Sequence, residues 1–504
     1  MAGVFAQLFP SGPALQRVLL RTDTGRVMRY GDALEQSGRL AHRLVAAGVR
    51  AGDRVAVQVE KSPEAVLLYL ATLRVGAVYL PLNSGYTPAE LEYFLSDSEP
   101  ALFVCTPERY DLLQPMAQRL GVRAVLTLGA DGGDGSLLAG TGSLPAHFED
   151  VPRAQDDLAA ILYTSGTTGR SKGAMLSQGN LVSNARTLAA QWHFTQQDVL
   201  LHALPIFHIH GLFVAINVTL AAGSSMIFLP LFDVELLLRH LPDASVMMGV
   251  PTFYVRLLKD ARLDRELAAR CRLFISGSAP LLIDTHHEWL ARTGHTLLER
   301  YGMSETGMNT SNPYAGERVP GSVGLPLPGV SLRIAPAGEI GMGEVGMIEV
   351  KGPNVFAGYW RQPEKTRALF RDDGYFMTGD LGRIDARGYL YIVGRSTDLV
   401  ISGGYNIYPK EIEAEIDALP GVLESAVFGL PHPDFGEAVT AVIVRAEAAA
   451  QQPTQAEVIA ALRQRLAAYK LPKRVLWVDE LPRNSMGKVQ KKLLRERYAS
   501  LYGA

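Results

Sequence analysis

Cysteine is scarce in this chain: Cys105 and Cys271 are the two present among 504 residues. A disulfide framework is thereby excluded, and a reducing compartment, the cytoplasm, is the simplest expectation. Charge of one sign is lacking too, since 49 Lys and Arg face 51 Asp and Glu for a net charge of −2. Such a balance offers no electrostatic footprint to nucleic acid or to an anionic membrane. A membrane span is also not expected. Residues 199–232 contain no Asp, Glu, Lys or Arg, but Pro205, His202, His208, His210, Asn217, the Gly223-Ser224-Ser225 turn and Pro230 interrupt the run. Lipid would leave those breaks unsatisfied, so a buried helix followed by a buried strand is expected. Residues 1–10 are apolar without a basic segment or a small-residue cleavage site, which argues against a signal peptide. No repeat of solenoid length is found.

What is present is an ordinary globular composition, 47% hydrophobic and 20% charged, on a chain long enough for roughly three compact units. The first half alternates strands and helices. Residues 54–59 read as a strand, Ser62-Pro63-Glu64 as a helix start, 78–82 as a strand, Thr87-Pro88-Ala89-Glu90 as a capping box and 101–105 as a strand. Strand–helix–strand units in series predict an α/β fold with doubly wound parallel sheets. Residues 131–145 are Gly/Ser-rich and read as a surface loop, whereas 316–360 lose helical periodicity and suggest a β subdomain. A smaller α+β unit follows Gly394, with helices expected over 408–419 and 455–468 and strands near 425–429 and 439–444. The division expected is 1–394 and 395–504.

The most informative segment follows the apolar run 158–162. Tyr163-Thr164-Ser165-Gly166-Thr167-Thr168-Gly169-Arg170-Ser171-Lys172-Gly173 combines glycines that admit a close anion with hydroxyls and a lysine that can donate to phosphate. It lacks Walker A spacing, and by composition alone it is a Ser/Thr/Gly turn. The full string, however, resembles the phosphate loop of the acyl-adenylate-forming superfamily. Further strings match that superfamily in order: Tyr301-Gly302-Met303-Ser304-Glu305, Thr378-Gly379-Asp380, Gly394-Arg395, Ser402-Gly403-Gly404 with Pro409 to Glu413, and Pro482-Arg483-Asn484-Ser485-Met486-Gly487-Lys488.

The resemblance implies an acid–thiol ligase that uses ATP, Mg²⁺ and coenzyme A, and a C-terminal domain that is mobile. It implies phosphate binding by Thr164, Ser165, Gly166, Thr167, Thr168, Gly169 and Lys172, and Mg²⁺ binding by Thr164 and Glu305. Gly277, Ser278, Ala279, Tyr301, Gly302, Met303 and Ser304 would border the nucleotide, with Asp380 on the ribose and Arg395 near ribose and phosphates. Ser402, Gly403 and Gly404 would serve coenzyme A. Lys488 would be the adenylation lysine and a target for an acetylase and deacetylase. The family's hinge position falls on Thr397, followed by Asp398, where Asp or Lys is usual.

Within the superfamily the chain is most similar to the malonyl-CoA synthetase branch, on Leu204-Pro205-Ile206-Phe207-His208-Ile209-His210-Gly211, Ile275-Ser276-Gly277-Ser278-Ala279-Pro280 and Met308-Asn309-Thr310-Ser311-Asn312-Pro313-Tyr314. A short diacid needs a buried cation for its distal carboxylate. The resemblance assigns Arg256 to that task with Ser276, His208 and Met303 beside it; the local alternative is that Arg256 pairs with Asp260. Methylmalonate or another short acid, and a carrier-protein thiol in place of coenzyme A, stay open.

Overall fold

The computed structural model describes residues 3–164, 171–335, 345–402, 405–433, 435–446, 453–484 and 487–503. The chain divides into two compact units, one of Met1–Ser331 with Lys351–Gly374 and the other of Leu332–Val350 with Tyr375–Ala504.

Local signals act where the sequence places them. Ser62 caps the helix Pro63–Arg74 by accepting from the Ala65 amide at 3.2 Å. Thr87 and Glu90 close a reciprocal capping box on Pro88–Ser98; such a cap is worth about 1 kcal/mol. Returning through helices, the strands of the first unit build two largely parallel sheets. One runs in the order Ala124–Thr127, Leu102–Cys105, Arg54–Gln58, Val78–Pro81, Leu158–Thr164 and Lys172–Ser177, the last two forming an antiparallel hairpin. In the other, Leu297–Met303, Leu273–Ser276, Val246–Gly249, Val199–His202, Ser225–Phe228 and Val18–Thr22 lie side by side and parallel.

The uncharged run resolves into a strand, a π-helical turn at His210–Ile216, a helix at Asn217–Ala222 and the strand Ser225–Phe228. All are buried, and among the described residues no helix is long and apolar enough to cross a membrane.

In the second unit the strands Gly346–Lys351, Phe376–Ile384 and Leu390–Arg395 form an antiparallel sheet with Ser331–Ala335 at its edge. A further sheet centres on the long hairpin Val422–His432 and Gly436–Arg445. Alternate residues of this hairpin feed opposite faces. Val427, Val439, Ala441 and Ile443 pack with Ile412, Ile416, Val458 and Leu462, whereas Ala426, Phe428, Val442 and Val444 pack with Leu481 and Leu494. Helices therefore cover both faces, and the unit is α+β.

Three local expectations change. The β subdomain starts later and extends further, because residues 316–324 are a loop pinned by Asn312, whose Oδ1 accepts from the Val319 amide and whose Nδ2 donates to the Ser322 carbonyl. The helix expected over 455–468 ends at Arg463, where its apolar stripe of Val458 and Leu462 is complete. The loop 131–145 is anchored rather than merely superficial: Leu137 is fully buried, and Ser136 and Thr127 exchange hydrogen bonds near 2.9 Å.

One network fixes the N-terminal ends of three central strands. Asp198, just before Val199–His202, accepts from Ser245 Oγ at 2.7 Å, from the Thr195 amide at 2.8 Å and from Arg272 at 2.8 and 2.9 Å. Ser245 and Arg272 immediately precede the two neighbouring strands. Burial alone would raise the Asp198 carboxyl, but the bonds from Arg272, Ser245 and Thr195 outweigh it and hold the group below its ordinary value. A carboxylate depressed in this way adds stability above its unfolded pKa, and that stability is lost as the pH falls through the folded value. Asp198→Asn should therefore lower unfolding free energy at pH 7 by about 1–3 kcal/mol. Urea titrations should show the gap to the parent closing below about pH 4.

Candidate active site

Parallel register brings the C-terminal ends of the strands together, where open α/β sheets bind their ligands. His202 pairs with Met248, Gly249 with Ser276 and Ser276 with Glu299. One residue further on, Gly277 lies against Arg300: a Cβ at 277 would stand 2.4 Å from Arg300 Cζ, so a side chain there would require the guanidinium to shift. Arg300 is 3% exposed, and no Asp or Glu among the described residues pairs with it. Burial pulls its pKa down to about 9.

The neighbours of Arg300 are polar and under-used. Ser278, held at a left-handed φ of 73°, places Oγ 3.4 Å from Arg300 Nη2 and 3.3 Å from His210 Nδ1. Burial first, then the Arg300 charge and the other histidines, push His210 well below its ordinary pKa, so its imidazole is neutral at physiological pH. Ser278 can accept from Arg300 while donating to His210 Nδ1, which leaves the His210 proton on Nε2. Arg300 Nε, His210 Nε2 and Ser276 Oγ are all buried without a hydrogen-bond partner among the described residues. Buried donors rarely stay unpaired, and a guanidinium with two such neighbours is complementary to a carboxylate.

Arg256, the arginine expected for the distal carboxylate, lies on another element. It lies exposed on the helix Pro251–Leu258, its guanidinium 5.7 Å from the Phe232 ring centroid. Asp260, its expected local rival partner, is bridged by Arg262 at 2.8 and 3.0 Å. Arg300, by contrast, is buried at the strand ends, and no sequence motif singled it out. A signal existed, for Arg300 interrupts the otherwise buried strand Leu297–Met303. Ser276 is buried, and His208 and Met303 are part-buried.

A second group of side chains surrounds Glu305, which is 5% exposed in the turn between Leu297–Met303 and Gly307–Ser311. Its Oε1 accepts from Tyr359 Oη at 2.8 Å and lies 3.4 Å from Thr164 Oγ1. Lys172, paired across the hairpin with Thr164, holds Nζ 5.1 Å from the Tyr359 ring centroid. Tyr359 therefore joins the carboxylate to the lysine, a link that no local sequence cue announces. Among the described residues no three His, Cys, Asp or Glu side chains gather as metal ligands. The hard oxygens of Glu305 and Thr164 nonetheless suit Mg²⁺, which takes few protein ligands and completes its shell with water and phosphate. Tyr301 is buried, while Gly302, Met303, Ser304, Ser278 and Ala279 are part-buried along the same strand ends. Ser165, Gly166, Thr167, Thr168 and Gly169 lie outside the described residues.

In the second unit Asp380 is buried and in register with Arg395, whose Nε is 3.0 Å from Asp380 Oδ1. Asp398 pairs with Arg495 at 2.8 Å, and Thr397 beside it is exposed. Ser402 is buried at the end of Val400–Ser402; Gly403 and Gly404 lie outside the described residues. Lys488 sits in a tight hairpin: its amide donates to Asn484 Oδ1 at 2.9 Å and its carbonyl accepts from the Asn484 amide at 3.0 Å. Arg483, which also ion-pairs with Glu424, donates to the Gly487 carbonyl at 2.5 Å.

Comparison with known proteins agrees with this arrangement. Residues 5–360 match the AMP-binding enzyme family and residues 411–488 match the AMP-binding enzyme C-terminal domain. A malonate–CoA ligase of Arabidopsis thaliana is 37% identical, covering 98% of this chain and 84% of its own. A feruloyl-CoA synthase of Amycolatopsis sp is 36% identical over 94% of each chain. The crystal structure of ATP-bound MatB from Rhodopseudomonas palustris superposes with a TM-score of 0.96 at 58% identity, over 99% of both chains. With its two segments matched in order and its strand-end site assembled as described, the chain belongs to the AMP-binding enzyme family.

Proposed function

We propose that this protein is an ATP-dependent malonate–CoA ligase of the AMP-forming class. The observation that carries the reading is the buried, carboxylate-free Arg300 with the unpartnered donors of His210 and Ser276. One carboxylate of malonate is held there, with Arg256 the further candidate that the family resemblance implies, and the other is left to react. Its oxygen attacks the α-phosphorus of ATP, the bond to pyrophosphate breaks, and malonyl-adenylate forms. The thiol of coenzyme A then attacks the acyl carbon, giving malonyl-CoA and releasing AMP. An aromatic acid such as ferulate has no second carboxylate to neutralise Arg300, so its binding leaves the cation uncompensated. Malonate rather than methylmalonate is the assigned substrate; the two differ by one methyl, worth about 1–3 kcal/mol of discrimination at most.

The remaining roles are those that the family resemblance implies. Thr164, Lys172 and the loop 165–169 hold the ATP phosphates, while Gly277, Ser278, Ala279, Tyr301, Gly302, Met303 and Ser304 border the nucleotide. Glu305 and Thr164 hold Mg²⁺, which when bound neutralises phosphate charge. Asp380 accepts from the ribose hydroxyls, with Arg395 beside it. Ser402, Gly403 and Gly404 serve coenzyme A. Residues 395–504 act as a domain that turns about Thr397–Asp398 between the two half-reactions, and Lys488 stabilises charge developing between acid oxygen and α-phosphate. The two buried free cysteines suit a reducing compartment, and we place the enzyme in the cytoplasm.

Pyrophosphate release measured across short mono- and dicarboxylic acids, with and without coenzyme A, should favour malonate over acetate; a monocarboxylate preference overturns the reading. Arg300→Ala should raise the malonate KM about a hundredfold, the scale of lost charge-assisted hydrogen bonds, and leave the ATP KM nearly unchanged. Arg256→Ala should have the smaller effect, and the reverse order would return the anion-binding role to Arg256. Lys488→Ala should abolish adenylation yet spare thioester formation from supplied malonyl-adenylate. Equal loss of both half-reactions removes Lys488 from that role. Acetylation of Lys488 should mimic the first outcome, reversibly under a deacetylase.

A further inference from the structure

Lys61 lies beyond the strand Arg54–Gln58, far in sequence from the residues that bind the acid. Its Nζ is 3.0 Å from His202 Nδ1 and 2.9 Å from the His202 carbonyl, and 4.4 Å from the Phe228 ring centroid. His202 is fully buried, and its Nε2 is 2.8 Å from the Gly211 carbonyl. A carbonyl only accepts, so Nε2 carries the proton. Burial, with the neighbouring Lys61, drives His202 well below its ordinary pKa, which leaves Nδ1 as a lone pair that accepts from Lys61. The chain Lys61→His202→Gly211 is therefore directional, with a single imidazole tautomer.

Its end point is the π-helical turn His210–Ile216. Turns of this kind are marginal on their own and recur at functional sites. Gly211 is packed so closely that a Cβ would meet the Pro205 carbonyl oxygen at 2.1 Å. The residue before it, His210, is the one that contacts Ser278 beside Arg300. Fixing the Gly211 carbonyl thus fixes where the His210 ring enters the acid site.

We propose that Lys61 and His202 are positioning residues for substrate selection: their hydrogen-bonded relay holds the π-helical turn so that His210 Nε2 meets the distal carboxylate of the acid. The inference rests on the reading of Arg300 and His210 as the acid site. Lys61→Met keeps the length of the side chain and removes the donor. It should raise the malonate KM about tenfold, the effect of one lost hydrogen bond, and narrow the malonate-to-acetate ratio of kcat/KM, with the ATP KM unchanged. His202→Gln and His202→Asn divide the relay without emptying it. A Gln amide can still reach the Gly211 carbonyl but loses the Lys61 side and should behave like Lys61→Met, whereas Asn reaches only the Lys61 side, loses the bond to the turn and should raise the malonate KM at least as far. A uniform loss of kcat for all acids, an unchanged malonate KM in Lys61→Met, or a parent-like malonate KM in both His202 variants overturns the relay. Should Lys61→Met not fold, the two His202 variants decide alone. Arg300→Ala run in parallel separates the two ideas: if it leaves the malonate KM intact, the acid site itself is misplaced. If it raises that KM while the Lys61 and His202 variants do not, only the relay falls.

Discussion

The guanidinium of Arg300 is buried on a strand end with no carboxylate among the described residues beside it, and the polar side chains around it accommodate that charge. Removing an arginine from water without a partner is costly by several kcal/mol. The fold limits the cost by surrounding Arg300 with Ser278 and a neutral His210, both of which can turn a dipole toward it. It does not remove the cost. The remainder stays available as affinity for an anion, so an empty site and a filled one differ in exactly the interaction the reaction needs to orient its substrate.

That tension is tolerable because the opposite ends of the same strands are firmly tied. Asp198, Ser245 and Arg272 join the starts of Val199–His202, Val246–Gly249 and Leu273–Ser276 in one fully paired network. The two ends of the sheet thus differ: the N-terminal edge carries a paired charge network, and the C-terminal edge carries a guanidinium that no described carboxylate pairs. A slip of one residue in register would turn every side chain to the other face, moving Ser276 and Arg300 away from the site.

Much of this was legible in the sequence. Helix starts at Ser62 and Thr87 are written in local residue pairs, and the alternation of strands and helices announces parallel sheets. The ordered strings around Thr164, Glu305, Asp380 and Lys488 point to the family because each carries its chemistry within a few consecutive positions. What escaped was long-range. Tyr359 reaches Glu305 across 54 residues, and Lys61 reaches His202 across 141; no window of sequence contains either pair. Arg256 drew attention through its resemblance to a family pattern, whereas the burial that singles out Arg300 arises only once Leu297–Met303 is laid beside Leu273–Ser276.

Gly277 and Arg300 occupy one volume between them. A methyl group at 277 would displace the guanidinium, while a smaller side chain at 300 would leave an open gap above the glycine. Neither position can drift alone without harm, so a change of acid specificity by this route must pass through both.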